Sequence, residues 1–255
     1  MITILTYHRV LSRPDSEHYS VTLRRLEEHL DVLEGCGMVP VDPGRLREPG
    51  HIGSASFFLT FDDGHEHHAD LTYPFLEKRN LRGIFFVPSQ RLDRPGFLRS
   101  TDVQRMAKAG HLFGLHGHLH RRLDKLSLPE LAEDFSTSLQ TFQRVIGQSP
   151  WIFAPVGGYD SPAVRAAARS HGVRVLRTMR WGLNHHPDPM SLETIPIHRD
   201  FLPKTLREIM EEGQFGGGYR LKEILKQALP ENLYNSLRER LSRNSRPSDL
   251  ESPYV

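Results

Sequence analysis

The apolar run Ser56-Phe57-Phe58-Leu59-Thr60-Phe61 is followed at once by Asp62-Asp63-Gly64. A short, aromatic-rich apolar run reads as a strand buried on both faces. Glycine directly after the two acids lets the chain turn where other residues would be strained. Neighbouring side chains on a strand point to opposite faces, but as the backbone turns, both carboxylates can reach one pocket. One acid could then hold a cation while the other handles protons.

The rest of the chain alternates strand and helix signals. Ile2 to Val10 reads as an opening strand. Val21 to Gly35 carries Leu23, Leu26, Leu30 and Leu33 at helical spacing and stops at Gly35 to Gly37. A helix bearing Tyr73, Phe75 and Leu76 leads to the strand Ile84 to Val87, and Thr101 to Gly110 forms a short helix. Ser127-Leu128-Pro129-Glu130 is a capping box with proline in the first turn, which predicts a helix to about Ile146 closed by Gly147. Trp151 to Ala154 is a strand, Ser161 to Ser170 a helix, and Val173 to Leu176 a strand. This β-then-α rhythm predicts an α/β fold with a parallel barrel, whose chemistry falls at the C-terminal ends of the strands.

His116-Gly117-His118-Leu119-His120 supplies the other half of a plausible cation site. In a helical turn the imidazoles of His116 and His120 would share one face, and His118 would point away. Two histidines and one carboxylate leave positions open for water and substrate. The pair alone is weak evidence, because 15 histidines in 255 residues give roughly one H-x-x-x-H by chance. Its weight comes from the acidic turn that precedes it.

Thr60-Phe61-Asp62-Asp63-Gly64, then His116 and His120, then Pro155-Val156-Gly157, together with Tyr7-His8 in the opening strand, resemble in order and spacing the polysaccharide deacetylase superfamily (NodB homology, carbohydrate esterase family 4). The resemblance covers roughly residues 1 to 200. It implies a distorted (β/α) barrel with fewer strands than the usual eight. It also implies that Asp62 is the general base and that Asp63, His116 and His120 bind a divalent metal, with Zn²⁺ first by ligand type and Co²⁺, Ni²⁺ or Mn²⁺ also accepted. The implied reaction removes acetyl groups from an N-acetylated carbohydrate.

The chain also departs from the pattern. Many members carry an arginine two residues before the motif proline, where this chain has Phe153; Arg174, Arg177 or Arg180 could approach from a later strand. Gly117 stands where serine or threonine is common. His198, in Thr194-Ile195-Pro196-Ile197-His198, is the candidate for the family's late histidine, which the resemblance implies is the source of the general acid, with a catalytic and a structural reading both open. Pro155, Gly157 and Tyr159 are candidates for contacting substrate beside backbone N–H groups that would meet an oxyanion. Trp181 is a candidate wall for a sugar ring, or a core residue. His65-Glu66-His67-His68 reads as a polar loop at the pocket's rim.

The 33 basic and 31 acidic residues leave a formal charge of +2, which argues against nucleic acid as the main partner. One cysteine, Cys36, excludes an internal disulfide. No stretch approaches the roughly eighteen apolar residues of a membrane span. Met1 to His8 reads as a strand rather than a signal peptide, so the expectation is a cytoplasmic enzyme acting on a sugar precursor or short oligosaccharide. The deacetylase domain is expected over 1–203, a helical extension over 204–241 and a disordered tail over 242–255. Two other readings are hydrolysis of a different non-peptide C–N bond in a small amide, and an inactive carbohydrate-binding homologue.

Overall fold

The apolar runs and helical stripes form, in order, β1 (Ile2–Tyr7), β2 (Arg9–Leu11), β3 (Ser20–Thr22), α1 (Leu23–Gly35), β4 (Val39–Pro40), β5 (Ser56–Asp62), α2 (Tyr73–Lys78), β6 (Gly83–Val87), α3 (Ser100–Lys108), β7 (Leu112–Leu115), α4 (Leu128–Ile146), β8 (Ile152–Phe153), α5 (Pro162–Ser170), β9 (Val175–Trp181), β10 (Leu192–Pro196) and α6 (Pro203–Glu212). This is a computed structural model that describes residues 1–215, residue 54 excepted. The expectations for 221–241 and for the tail 242–255 fall outside the described residues. One compact unit spans Met1–Gln214, and α6 packs within it against α1.

Seven strands close into a parallel barrel in the order β1-β10-β9-β8-β7-β6-β5, with β5 returning to β1 along its whole length from Ile2↔Ser56 to Tyr7↔Phe61. The short β4 adds to β5 beside it. Side chains alternate along a strand, so one set from each strand fills the barrel. Ile2 and Ile4, Phe58, Ile84 and Phe86, Ile152, Val175 and Leu192 form one buried apolar cluster. One step further along the strands the filling turns polar. Thr6 Oγ1 lies 2.8 Å from Thr60 Oγ1 and 2.7 Å from Thr194 Oγ1. Another step brings His8, Asp62, His116 and Arg177. The interior therefore runs from apolar to hydroxyl to charged as the strands approach their C-terminal ends.

Several boundaries differ from the sequence pattern for local reasons. The opening strand breaks at His8, because Tyr7 still pairs with β5 while Arg9–Leu11 leaves to pair with Ser20–Thr22. That second pairing delays α1, whose N-cap Thr22 accepts a hydrogen bond from the Arg25 N–H at 3.2 Å. The capping box at Ser127 and Glu130 opens α4 where expected, and Gly147, at φ +67°, closes it. The strand expected over Val173 to Leu176 starts later and runs on to Trp181, because β10 lies alongside it.

Candidate active site

Asp62 ends β5 and Asp63 stands just beyond it at φ +74°, followed by Gly64 at φ +66°. Two successive left-handed residues turn the chain so sharply that neighbouring carboxylates face different groups. A Cβ on Gly64 would lie 2.6 Å from Val87 Cγ1, so this turn also requires the glycine for space.

Asp63 faces the histidines. Its Oδ1 is 2.7 Å from His120 Nε2 and 3.3 Å from His116 Nε2, and these ligand atoms converge within 4.8 Å. The histidines do not sit on a helical turn, as their spacing had predicted. His116 follows β7 directly, Gly117 takes φ +72° and His120 takes φ +52°, so a bent loop brings the rings to 5.3 Å between centroids. His118 does point away, with Nδ1 2.8 Å from Ser89 Oγ. The Asp134 carboxylate on α4 anchors this loop by accepting from the His118 N–H at 2.8 Å. Burial pushes the Asp63 carboxyl up, but the imidazoles of His116, His120 and His65 around it outweigh that and hold the group far below the usual carboxylate range.

The donor set fits a divalent ion. His116 Nδ1 donates to the Ala154 carbonyl at 2.7 Å, which leaves the Nε2 lone pair directed at Asp63, the arrangement in which imidazole binds a metal. Two imidazoles and a carboxylate suit Zn²⁺ and its neighbours and leave open positions.

Asp62 faces the other way, into the barrel. Arg177 on β9 reaches across and donates through Nη2 to both carboxylate oxygens at 2.5 Å, and its guanidinium lies 4.9 Å from the centroid of Phe86. Both residues are buried, at 1% exposure each. Phe153, at the position where an arginine was missing, is the register partner of Leu176. The cation therefore comes from the adjoining strand, one residue beyond that register pair. Arg174 is exposed, and Arg180 turns to Ser191.

Sequence reasoning did not single out His8 for chemistry. Its Nε2 is 3.9 Å from Asp62 Oδ2, and its ring stacks on Tyr19 at 4.6 Å. Burial, partly offset by Asp62 and Asp63, lowers its pKa. The signal available was alternation: His8 continues Ile2, Ile4 and Thr6 on the inward face of β1. His68, expected at the rim with its neighbours, is instead fully buried, its Nε2 2.6 Å from the His8 carbonyl oxygen. His65 does stay at the rim, 3.8 Å from Asp63 Oδ2.

His198 lies after β10. It stacks on His18 at 4.9 Å and 13°, meets Trp181 edge-on at 6.4 Å, and His18 in turn meets Tyr19 at 4.7 Å. Trp181, His198, His18, Tyr19 and His8 thus form a continuous wall of rings. Pro155 leads into a tight turn, Val156–Gly158, with Gly157 and Gly158 both at positive φ. The Gly158 N–H donates to the Pro155 carbonyl and the Tyr159 N–H to that of Val156, so these two amides are used within the turn. The Arg122 guanidinium lies 3.6 Å from the centroid of the Tyr159 ring.

Among the described residues the parallel barrel carries a charged cluster at its strands' C-terminal ends, one carboxylate paired with arginine and the next with two histidines. Residues 52–176 match the polysaccharide deacetylase family. YxkH of Bacillus subtilis, whose name places it among the polysaccharide deacetylases, is 23% identical over 174 residues, covering 66% of this chain and 61% of YxkH. Chitin deacetylase 1 of Cryptococcus neoformans is 28% identical over 116 residues, 45% of this chain and 24% of that protein. The chain thus spans less than two thirds of the length of these curated relatives. IcaB from Ammonifex degensii shares the fold at a TM-score of 0.73 with 24% identity, covering 82% of this chain and 95% of that one. The Streptococcus pyogenes deacetylase PplD, solved with acetate, does so at 0.73 with 19% identity, covering 82% and 97%. Among the described residues no helix is long and apolar enough to cross a membrane.

Proposed function

We propose that the protein is a divalent-metal-dependent deacetylase that hydrolyses the N-acetyl group of an amino sugar in a glycan, oligosaccharide or sugar precursor. The observation that carries this reading is the division of the acidic pair: Asp63 converges with His116 and His120, while Asp62 is fixed by Arg177. A divalent cation held by Asp63, His116 and His120 would supply Lewis acidity toward the amide carbonyl and lower the pKa of a bound water.

The chain's own residues supply the proton transfers. Asp62 accepts a proton from the attacking water, and Arg177 keeps that carboxylate in one orientation until it does so. His8, whose Nε2 is 3.9 Å from Asp62 Oδ2, is the residue we assign to receive that proton from Asp62 and pass it to the departing nitrogen as the C–N bond breaks, releasing acetate and the free amine. His198, which the family resemblance offered as the acid, is proposed instead to serve with Trp181 in the ring wall along which a sugar would lie. Pro155, Gly157 and Tyr159 are proposed to border the acetyl group.

Acetate release from N-acetylhexosamine oligosaccharides and sugar nucleotides tests this reading, using metal-stripped protein with and without Zn²⁺ or Co²⁺. Metal-dependent acetate is expected from at least one substrate. Asp62→Asn should lower turnover by at least about a hundredfold while metal affinity holds. Metal-bound protein that releases acetate from none of them would favour a different amide substrate or an inactive carbohydrate binder.

A further inference from the structure

The two histidines beside Asp63 are held in opposite tautomers. His116 gives its Nδ1–H to a carbonyl, so its Nε2 presents a lone pair. His120 has the reverse arrangement, because the Arg91 Nη2 lies 2.9 Å from its Nδ1. Guanidinium has donors only, so this Nδ1 must accept, and a neutral His120 must carry its hydrogen on Nε2. That Nε2–H is the one donated to Asp63 Oδ1 at 2.7 Å.

We infer that Arg91 is a positioning residue that opposes the metal at His120 and so sets how tightly the site holds its ion. The inference rests on the metal reading given above. Nε2 can bind a cation only after losing its hydrogen; a neutral ring then carries that hydrogen on Nδ1, where it would face the guanidinium N–H. No net proton is lost, but the Arg91 to His120 hydrogen bond must break. Arg91 has an alternative partner at hand. Its Nη1 is 3.5 Å from the Asp63 carbonyl oxygen and 3.7 Å from Asp63 Oδ1, and its guanidinium rests on Phe97 at 4.8 Å. The arginine can therefore pivot toward Asp63 while remaining stacked. Its positive charge beside the ligands disfavours a dication further.

The loop that carries Arg91 is tied to the loop that carries the histidines. Arg91 ends the turn Ser89–Arg91, and the Ser89 and Gln90 N–H groups donate to the carbonyls of Gly117 and His118 at 3.3 and 3.1 Å. A structural role alone would make removal of Arg91 loosen His120 and weaken binding. The tautomer argument predicts the opposite sign.

The test is a Zn²⁺ competition titration against a chromophoric chelator, on metal-stripped full-length protein, for the wild type, Arg91→Gln, Arg91→Lys and Asp63→Ala. Glutamine can turn its carbonyl oxygen to accept from Nδ1–H. Arg91→Gln is expected to bind on the order of tenfold tighter than wild type, with Arg91→Lys near wild type because it keeps a cationic donor. Wild-type binding that Asp63→Ala weakens, with Arg91→Gln equal to or weaker than wild type, overturns the inference and leaves the metal reading standing. Wild-type binding no tighter than that of Asp63→Ala overturns both. Should Arg91→Gln fail to fold, long-range ¹H–¹⁵N NMR of the metal-free wild type decides the point. His120 is expected as the Nε2–H tautomer and His116 as the Nδ1–H tautomer; both rings as Nδ1–H would overturn the proposal.

Discussion

Arg177 illustrates how a side chain can change strand without leaving the site. Strands lie about 4.8 Å apart and a guanidinium reaches further than that, so the cation demanded by a buried Asp62 can come from β9 as well as from β8. The demand itself is physical: an ionised carboxylate at 1% exposure is unfavourable unless a partner meets it. Arg177→Met should therefore strand an unpaired charge. Thermal or urea unfolding is expected to show a loss of about 3–5 kcal/mol, with turnover falling as well. A variant as stable as wild type would show that Asp62 is relieved in another way. The two candidate imidazoles separate by kinetics. His8→Gln is expected to lower kcat by about a hundredfold or more, and His198→Ala to act mainly on KM. The reverse pattern would return the acid role to His198. The acids and both candidate metal-binding histidines were legible in the sequence because each pair is local. Arg177 was legible only as one of three arginines, and His8 only through the Tyr7-His8 pair, because their contacts join residues far apart in sequence.

At the level of elements, helices were the easiest to read. The Ser127 and Glu130 box and Gly147 bracket α4 by local chemistry that no tertiary contact needs to supply. The strands carried a second message that periodicity alone does not label: their inward positions pass from Ile or Phe to Thr and then to His, Asp or Arg. The loop from His116 to His120 was the least legible element. H-x-x-x-H spacing suggests a helical turn, but Gly117 at φ +72° and His120 at φ +52° bend the chain instead, and Asp134 from α4 holds it. This explains why serine is absent at 117. A side chain there would occupy the left-handed region, which costs a non-glycine residue about 1–2 kcal/mol. Gly117→Ser is accordingly expected to lower stability by about that amount and to weaken metal binding. A gain in affinity would show that a hydroxyl at this position supports the site despite the strain.

Across the whole molecule, the barrel is closed by helices that bury titratable groups far from the chemistry. His29, on α1, is fully buried, with Nδ1 3.0 Å from the Tyr7 hydroxyl and Nε2 3.3 Å from the Phe201 carbonyl oxygen. Tyr7 O–H donates to Nδ1 and the Nε2–H donates to Phe201, so the neutral ring joins β1, α1 and the segment before α6. Burial lowers its pKa from 6.5 to about 4. Between those two values the unfolded chain carries a proton on this histidine that the folded chain does not. Acid therefore favours unfolding throughout that window, by about 1.4 kcal/mol per pH unit. The contribution is complete above pH 6.5, declines as the pH falls toward 4 and changes no further below it. Urea unfolding from pH 7.5 to 4 should show a slope steeper than this in the wild type, because burial also lowers the pKa of His68 and His111. His29→Gln, which keeps an acceptor for Tyr7 and a donor for Phe201 but cannot titrate, should show a slope smaller by about that amount. Equal slopes in the two proteins would mean that His29 is already protonated in the fold, and that Tyr7 and Phe201 hold an imidazolium.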